Sequence, residues 1–193
     1  MANVSFEHKI AQAWNAFFSF HEIAGMARKV PMVRYQVQGF DVLVDSRHYE
    51  YYQGIECKSV DTEEVDMLYF SRYFHVTKGV HQLDYESYIL RQSGRLGFLA
   101  VELRRKPPAH NAAFLVPWKV VMARFDNKEV GLPLEVICAG AKLEKQGSRY
   151  VISDDCHEAF MMQMSGRSGK RKPFKSQEDE IAKARKQNWG AKK

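Results

Sequence analysis

The chain has 193 residues, of which 45% are hydrophobic and 27% are charged. This balance suits one globular domain with a core, and it excludes a wholly disordered or collagen-like chain. No apolar segment is long enough to span a membrane, and the first residues lack the order of a signal peptide, so we expect a cytoplasmic protein with no membrane partner. The three cysteines are too few and too far apart for a disulfide framework, which fits a reducing compartment.

The net charge of +6 is concentrated near one end of the chain. Residues 165–193 contain ten Lys or Arg and three Asp or Glu, whereas residues 1–164 contain 19 and 20. We therefore predict one globular domain over 1–164 and a basic, flexible tail over 165–193. A nearly neutral domain can hold a polyanion only through a local basic patch or through bound cations.

The first part of the chain predicts a helix followed by strands. Apolar residues recur every three or four positions over 6–28, which predicts one long amphipathic helix that Pro31 closes. Alternating or apolar segments at 33–38 and 40–44 are typical of strands. A polar four-residue turn joins the second of these to a Tyr-, Ile- and Val-rich strand over 49–60, so we predict a hairpin.

The rest of the chain alternates helical and strand patterns. The predicted elements are a helix over 80–91, strands over 97–103 and 113–116, a short helix over 117–125, strands over 134–138 and 150–152, and a helix over 155–164. The order predicts an α/β fold with a mixed central sheet. We expect the hairpin at the edge of the sheet that carries the active site, with the first helix and the 80–91 helix flanking it.

Ionisable residues lie inside the predicted hairpin. Strand alternation places Glu56 and Lys58 on one face, and Asp41 on the neighbouring strand can reach the same face. Close carboxylates are costly unless a cation neutralises them, and their oxygens suit Mg²⁺ or Mn²⁺, with the Cys57 carbonyl as a further ligand. Lys58 can then orient a water or stabilise a phosphoryl transition state. The pattern indicates metal-assisted phosphodiester hydrolysis, and the structural alternative is an ordinary solvated strand face.

Asp41, fourteen intervening residues and then Glu56-Cys57-Lys58 form a pattern that resembles the PD-(D/E)XK signature of nucleases with a restriction-endonuclease-like core. Phe40 stands where that signature has its proline. Within the superfamily the chain looks most like the Holliday junction resolvases of the RecU type. The resemblance extends over about residues 5–125.

The resemblance assigns roles to five residues. It implies that Asp41 and Glu56 hold the metal, that Lys58 serves in catalysis, and that Glu7 in the first helix completes the metal site. Gln82 would correspond to the glutamine that lies near the active site at the start of the second core helix. Its alternative role is to solvate the first turn of that helix.

The function that the resemblance implies is a Mg²⁺-dependent, structure-selective DNA endonuclease, with four-way junctions as the favoured substrate. Symmetric cleavage of such a junction requires two equivalent sites, so we expect a homodimer. No phosphate-binding Gly loop is present, and we expect no nucleotide cofactor. The alternatives are a nuclease for restriction, repair or mobile-element DNA, and a catalytically silent nucleic-acid-binding module. The candidate DNA contacts are His81, Arg104, Arg105, Lys106, Lys170, Arg171, Lys172 and Lys175.

Overall fold

The computed structural model of the protein describes residues 4–31, 39–105 and 111–165. Its helices are α1 (Phe6–Phe20), α2 (Phe70–Tyr73), α3 (Gln82–Ser93), α4 (Trp118–Asp126), α5 (Leu134–Cys138) and α6 (Asp154–Ser165), with a 3₁₀ turn at Tyr49–Tyr51. The strands are β1 (Gly25–Lys29), β2 (Val42–Ser46), β3 (Gln53–Asp61), β4 (Met67–Tyr69), β5 (Val76–Thr77), β6 (Val80–His81), β7 (Leu96–Arg104), β8 (Ala112–Pro117), β9 (Gly131–Pro133), β10 (Ala141–Gln146) and β11 (Arg149–Val151). Among these described helices, none is long and apolar enough to cross a membrane.

Seven of the described strands form one sheet in the order β1-β2-β3-β7-β8-β10-β11. The central neighbours β3 and β7 run parallel over nine residue pairs, and the other neighbours are antiparallel. A parallel pair needs a crossover connection, which the segment containing α3 provides. The predicted α/β fold class, with a mixed central sheet flanked by helices, is confirmed.

Apolar layers cover both faces of the sheet. Ile55 and Cys57 belong to the layer that α1 and α6 cover, whereas Val60 belongs to the layer that α3 and α4 cover. Because side chains alternate along a strand, Glu56 and Lys58 share the face of Val60. Two ionisable residues of β3 therefore face the α3 layer, next to the start of that helix.

The prediction of one helix over 6–28 is wrong, because α1 ends at Phe20 and the chain continues into β1. Glu22 adopts a left-handed φ of 54° and the Ile23 N–H donates to the Phe18 carbonyl at 2.9 Å, which terminates the helix. A Cβ at Gly25 would lie 2.8 Å from the Phe18 ring, so the close approach of β1 to α1 depends on this glycine. Met26 fits the three- and four-residue spacing of the helix, which extended the prediction too far, but it is an exposed residue of β1.

The new strand β1 changes the place of the hairpin in the sheet. We expected residues 40–60 at the edge, but β1 pairs with β2 along five residues and covers it. The hairpin arms β2 and β3 are thus interior strands. The ionisable residues that they carry lie within the sheet, which explains the burial described below.

The second half of the chain contains one element of the wrong type. Residues 134–138 form the helix α5 and not a strand, and the extended Pro133 stands at its N-cap, where the missing proline N–H interrupts no helical hydrogen bond. The strand of this region is β10, which pairs with β8. The strand predicted over 33–38 and the tail predicted over 165–193 lie outside the described residues, apart from the backbone of Ser165.

Arg95 connects the turn of the hairpin to the start of β7. Its guanidinium donates to the Val44 carbonyl at 3.0 Å, to the Gln53 carbonyl at 3.2 Å and to Asp45 Oδ1 at 2.6 Å. It also lies 3.9 Å from the centroid of the Tyr52 ring. One side chain therefore holds both arms of the hairpin in register.

We expect Arg95→Met to lower the free energy of unfolding by about 2–3 kcal/mol, because two carbonyls and a carboxylate lose their charged donor. Urea unfolding followed by circular dichroism measures the change. Arg91→Met, on the exposed surface of α3, is the matched control and should change stability by less than about 0.5 kcal/mol. Equal effects of the two substitutions would contradict the role of Arg95.

Candidate active site

Four of the residues singled out in the sequence come together where β2, β3 and α3 meet. Asp41 immediately precedes β2, Glu56 and Lys58 lie on β3, and Gln82 begins α3. Lys58 Nζ lies 2.6 Å from Glu56 Oε1, and Gln82 Nε2 donates to the same oxygen at 2.8 Å. The amide of Cys57 donates to Asp41 Oδ2 at 2.9 Å, which ties the aspartate to β3.

The amide group of Gln82 is held from both sides. Its Oε1 accepts a hydrogen bond from the His75 N–H at 3.3 Å, while the Gln82 N–H donates to the His75 carbonyl at 2.8 Å. Its Nε2 donates to Glu56 at 2.8 Å and to Glu86 at 2.7 Å. These contacts fix the amide orientation, so Gln82 does more than solvate the first turn of α3.

Glu86 is a member of the cluster that the sequence analysis missed. It is fully buried on α3, one turn after Gln82, and its Oε1 accepts a hydrogen bond from the same Gln82 amide nitrogen that contacts Glu56. No N–H or O–H group of the described residues donates to its Oε2. The spacing of four residues from Gln82 is the signal that could have identified it, because such positions share one helix face.

Burial governs the charges of these carboxyl groups. It raises the pKa of Glu56 to about 7, and Asp41 adds to the rise while Lys58 and Gln82 oppose it. Burial and Glu56 hold the pKa of Glu86 well above its usual value. The pKa of Asp41 is also raised by burial, against the opposing effects of the Cys57 amide and Lys58.

Lys58 is the one cation in direct contact with this cluster among the described residues. Burial alone would lower the pKa of Lys58, but Glu56, Asp41 and Glu86 outweigh burial and raise it. Its side chain is only 16% exposed and its Nζ lies 5.0 Å from the centroid of the Phe74 ring. The ammonium is therefore charged and confined to one position.

Two residues expected near the metal have other contacts. Glu7 is close enough to Asp41 to raise its pKa, but the Glu7 carboxylate accepts a hydrogen bond from Lys29 at 3.3 Å. The Cys57 side chain is buried, and burial together with the nearby Asp41 raises the pKa of its thiol, so the sulfur stays protonated. Only the backbone of Cys57 faces the cluster.

The donor set fits a divalent cation that keeps much of its water. Within 4–31, 39–105 and 111–165, no three His, Cys, Asp or Glu side chains already form a metal-binding group. Mg²⁺ commonly binds through one or two carboxylates, with waters and substrate phosphates as the other ligands. Asp41 and Glu56 match that requirement, because two oxygen ligands from neighbouring positions of the sheet leave room for waters and for a phosphate.

The expected DNA contacts fall in different places. His81 adjoins the cluster as the N-cap of α3. Arg104 and Arg105 are exposed at the far end of β7. Arg104 pairs with Asp61, which is five residues along β3 from Glu56, so it lies about 17 Å from Glu56 at 3.3 Å per residue. The remaining expected contacts, Lys106, Lys170, Arg171, Lys172 and Lys175, lie outside the described residues.

Comparison with known proteins gives a structural likeness and no sequence match. No protein-family model matches the chain, and no curated protein matches its sequence. Among solved structures, the chain is similar to the 1.6 Å structure of Hjc, a Holliday junction resolvase from the hyperthermophilic archaeon Archaeoglobus fulgidus. The identity is 14% and the TM-score is 0.40, over 68% of this chain and 93% of Hjc. At this level of similarity, function has to be inferred from the side chains of the site.

Proposed function

We propose that the protein is a Mg²⁺- or Mn²⁺-dependent endonuclease that hydrolyses DNA phosphodiesters, and that its substrate is a four-way junction cleaved by a homodimer. The observation that carries the proposal is the buried Glu56 beside the half-buried Asp41, with Lys58 held 2.6 Å from Glu56. Buried groups with strongly shifted pKa values are typical of sites where charge is used for chemistry. A solvated strand face would not bury these residues.

Asp41 and Glu56 would hold the ion, with waters and the phosphate of the substrate completing its ligands. When bound, the ion supplies a Lewis acid for a phosphoryl oxygen and lowers the pKa of a coordinated water. The Cys57 N–H keeps the Asp41 carboxylate in place, and Gln82 does the same for Glu56. Both carboxylates are thus oriented before substrate arrives, which reduces the reorganisation that the reaction requires.

Lys58 would supply the positive charge that the transition state needs. Hydrolysis of a phosphodiester adds negative charge to the non-bridging oxygens, and a fixed ammonium in a partly dry site stabilises that charge more than it stabilises the substrate. The contact with Glu56 keeps Lys58 charged and aimed at the cluster. An attacking water could also be oriented by this ammonium.

The choice of a four-way junction rests on the sequence resemblance to RecU-type resolvases around Asp41 and Glu56-Cys57-Lys58. One chain contributes one such cluster among its described residues, while paired cleavage of a junction requires two. A symmetric homodimer satisfies this requirement with the fewest components. The dimer is therefore part of the same proposal.

The test compares cleavage of labelled four-way, flap and linear DNA by the full chain with Mg²⁺, with Mn²⁺ and with EDTA. We expect paired symmetric nicks in the four-way junction, only with the metals, and loss of cleavage in Asp41→Asn. Asp155→Asn, an exposed carboxylate on α6, is the matched control and should cleave normally. Faster cleavage of flap or linear DNA would overturn the junction assignment, and binding without any cleavage would favour a silent binding module.

A further inference from the structure

An aromatic cleft of about 510 Å³ opens beside the candidate active site. The residues that line it come from α2 and the link that follows it, the hairpin β5–β6, the end of α4 and the turn after α4. Its aromatic and imidazole rings are those of Phe70, Phe74, His75, His81 and Phe125. Three of the exposed large apolar residues in the described part of the chain, Val76, Val80 and Val130, belong to this cleft or to its adjoining hairpin.

The cleft and the active site share a wall. The Phe74 ring lines the cleft and also carries Lys58 Nζ at 5.0 Å from its centroid. His81 lines the cleft and directly precedes Gln82, whose amide contacts Glu56. A nucleotide whose phosphate lies at Lys58 would therefore have its base, or that of the next nucleotide, within reach of the cleft.

The walls are flat rings held in position. The His81 and Phe125 rings lie 4.5 Å apart at 35°, and Phe70 meets Phe125 edge-on at 5.6 Å. His81 Nδ1 accepts the Leu83 N–H at 3.2 Å, which fixes the imidazole as the N-cap of α3. Rigid aromatic and imidazole surfaces are the usual partners of unstacked bases in single-stranded or opened nucleic acid.

Cations stand near the mouth of the cleft. Lys128 lines it and is exposed, and Lys78 projects from the tip of the hairpin, where Lys78 and Gly79 both have positive φ. Glu129, the acidic residue in the lining, is paired with Arg124. The combination of the partly exposed His81 and Phe125 rings with the exposed Lys78 and Lys128 suits a base with its flanking phosphates better than an apolar protein side chain.

We propose that this cleft binds one unstacked nucleobase of the DNA strand whose phosphate lies in the active site. The proposal rests on the proposed function for its ligand class, and it names the element that would favour DNA with unpaired or easily opened bases. Branch points supply such bases at low cost, because their stacking is already interrupted. The cleft would thus contribute to the selection of branched over continuous duplex DNA.

The test measures how much an abasic nucleotide weakens DNA binding, and compares that effect between the wild-type chain and its variants. Binding is measured with the full chain in EDTA, where no cleavage occurs. An abasic nucleotide is placed in turn at each position around the centre of a four-way junction. At one position it should weaken binding to the wild type by about 10-fold, the scale of one lost stacking contact. The same abasic site should have less than about a 2-fold effect on His81→Asn and on Phe125→Leu.

The two variants keep the fold in different ways. Asn retains an N-cap acceptor at position 81, and Leu retains apolar volume at position 125. Phe20→Leu, on an exposed aromatic of α1, is the matched control and should keep the full abasic effect. An abasic effect of equal size in wild type and both variants would overturn the proposal.

The outcomes separate this proposal from the proposed function. Loss of self-association in His81→Asn or Phe125→Leu, without a change in the abasic effect, would mean that a second copy covers the cleft, and would overturn the base site. If the abasic effect is present in the wild type and lost in both variants, but no cleavage occurs in Mg²⁺, the nuclease function is overturned and the base site is supported. Cleavage of the junction with no abasic effect at any position would overturn the base site and support the nuclease function.

Discussion

Lys58→Met should reduce the rate of DNA cleavage by about 10²-fold or more while changing DNA affinity by less than about 3-fold. The substitution removes the ammonium beside Glu56 but keeps an apolar chain over the Phe74 ring. One cation among many phosphate contacts adds little to binding, whereas its effect grows as charge develops in the transition state. Single-turnover rates in Mg²⁺ and binding in EDTA measure the two quantities separately.

A second readout distinguishes catalysis from a structural role of Lys58. Removing its charge leaves Asp41, Glu56 and Glu86 without their contact cation, so Mg²⁺ affinity should stay the same or rise while the rate falls. Lys142→Met, on the exposed face of β10, is the matched control and should cleave at the wild-type rate. Normal cleavage by Lys58→Met would show that Lys58 is only a charge partner of Glu56.

Local patterns in the sequence were sufficient to predict the residues of the cluster that β2 and β3 carry. Strand alternation has a period of two, so it determines that Glu56 and Lys58 share a face opposite Ile55 and Cys57. The antiparallel pairing of β2 with β3, across a connection that includes the 3₁₀ turn Tyr49–Tyr51, then brings Asp41 near β3. These relations involve residues close in sequence, where few alternative arrangements compete.

The parts that were missed depend on contacts between distant residues. α1 ends at the left-handed Glu22, and the chain then returns as β1 with Gly25 against the Phe18 ring, which no helical periodicity reveals. Glu86 resembles any acidic residue of a surface helix until the amide of Gln82 is known to point at it. A buried acid of this kind contradicts the usual pattern of polar residues outside and is expected only where a site requires it.

The same burial that prepares the site for a cation should destabilise the metal-free protein. Asp41, Glu56 and Glu86 are held together by β3 and α3, with Lys58 as their contact cation. The pKa of Glu56, raised to about 7 chiefly by burial and then by Asp41, means that the folded protein prefers the neutral form of this carboxyl. The ionised carboxylate therefore lowers the stability of the metal-free protein at neutral pH, while it provides a ligand for metal. Such a trade-off between stability and function is common in active sites.

The sign of the pH dependence follows from the raised pKa. The unfolded chain releases the Glu56 proton near 4.5 and the folded protein near 7, so the contribution of Glu56 to stability is fully present below 4.5 and is lost as the pH rises through 7. Gln cannot ionise, so Glu56→Gln should keep that contribution at high pH. We expect it to raise the free energy of unfolding of the metal-free protein by about 2 kcal/mol at pH 8, and to change it little at pH 5.

Urea unfolding in EDTA at pH 5 and pH 8 measures this difference, and Glu158→Gln on the exposed face of α6 is the control for the lost charge. Mg²⁺ should raise the melting temperature of the wild type at pH 8 but not that of Glu56→Gln, because a bound ligand stabilises only the folded state that holds it. Glu56 would then act against stability without metal and in favour of stability with it. A Gln variant less stable than the wild type at both pH values would mean that the pair with Lys58 outweighs the burial of the carboxylate, and would remove the electrostatic reason for a cation at this position.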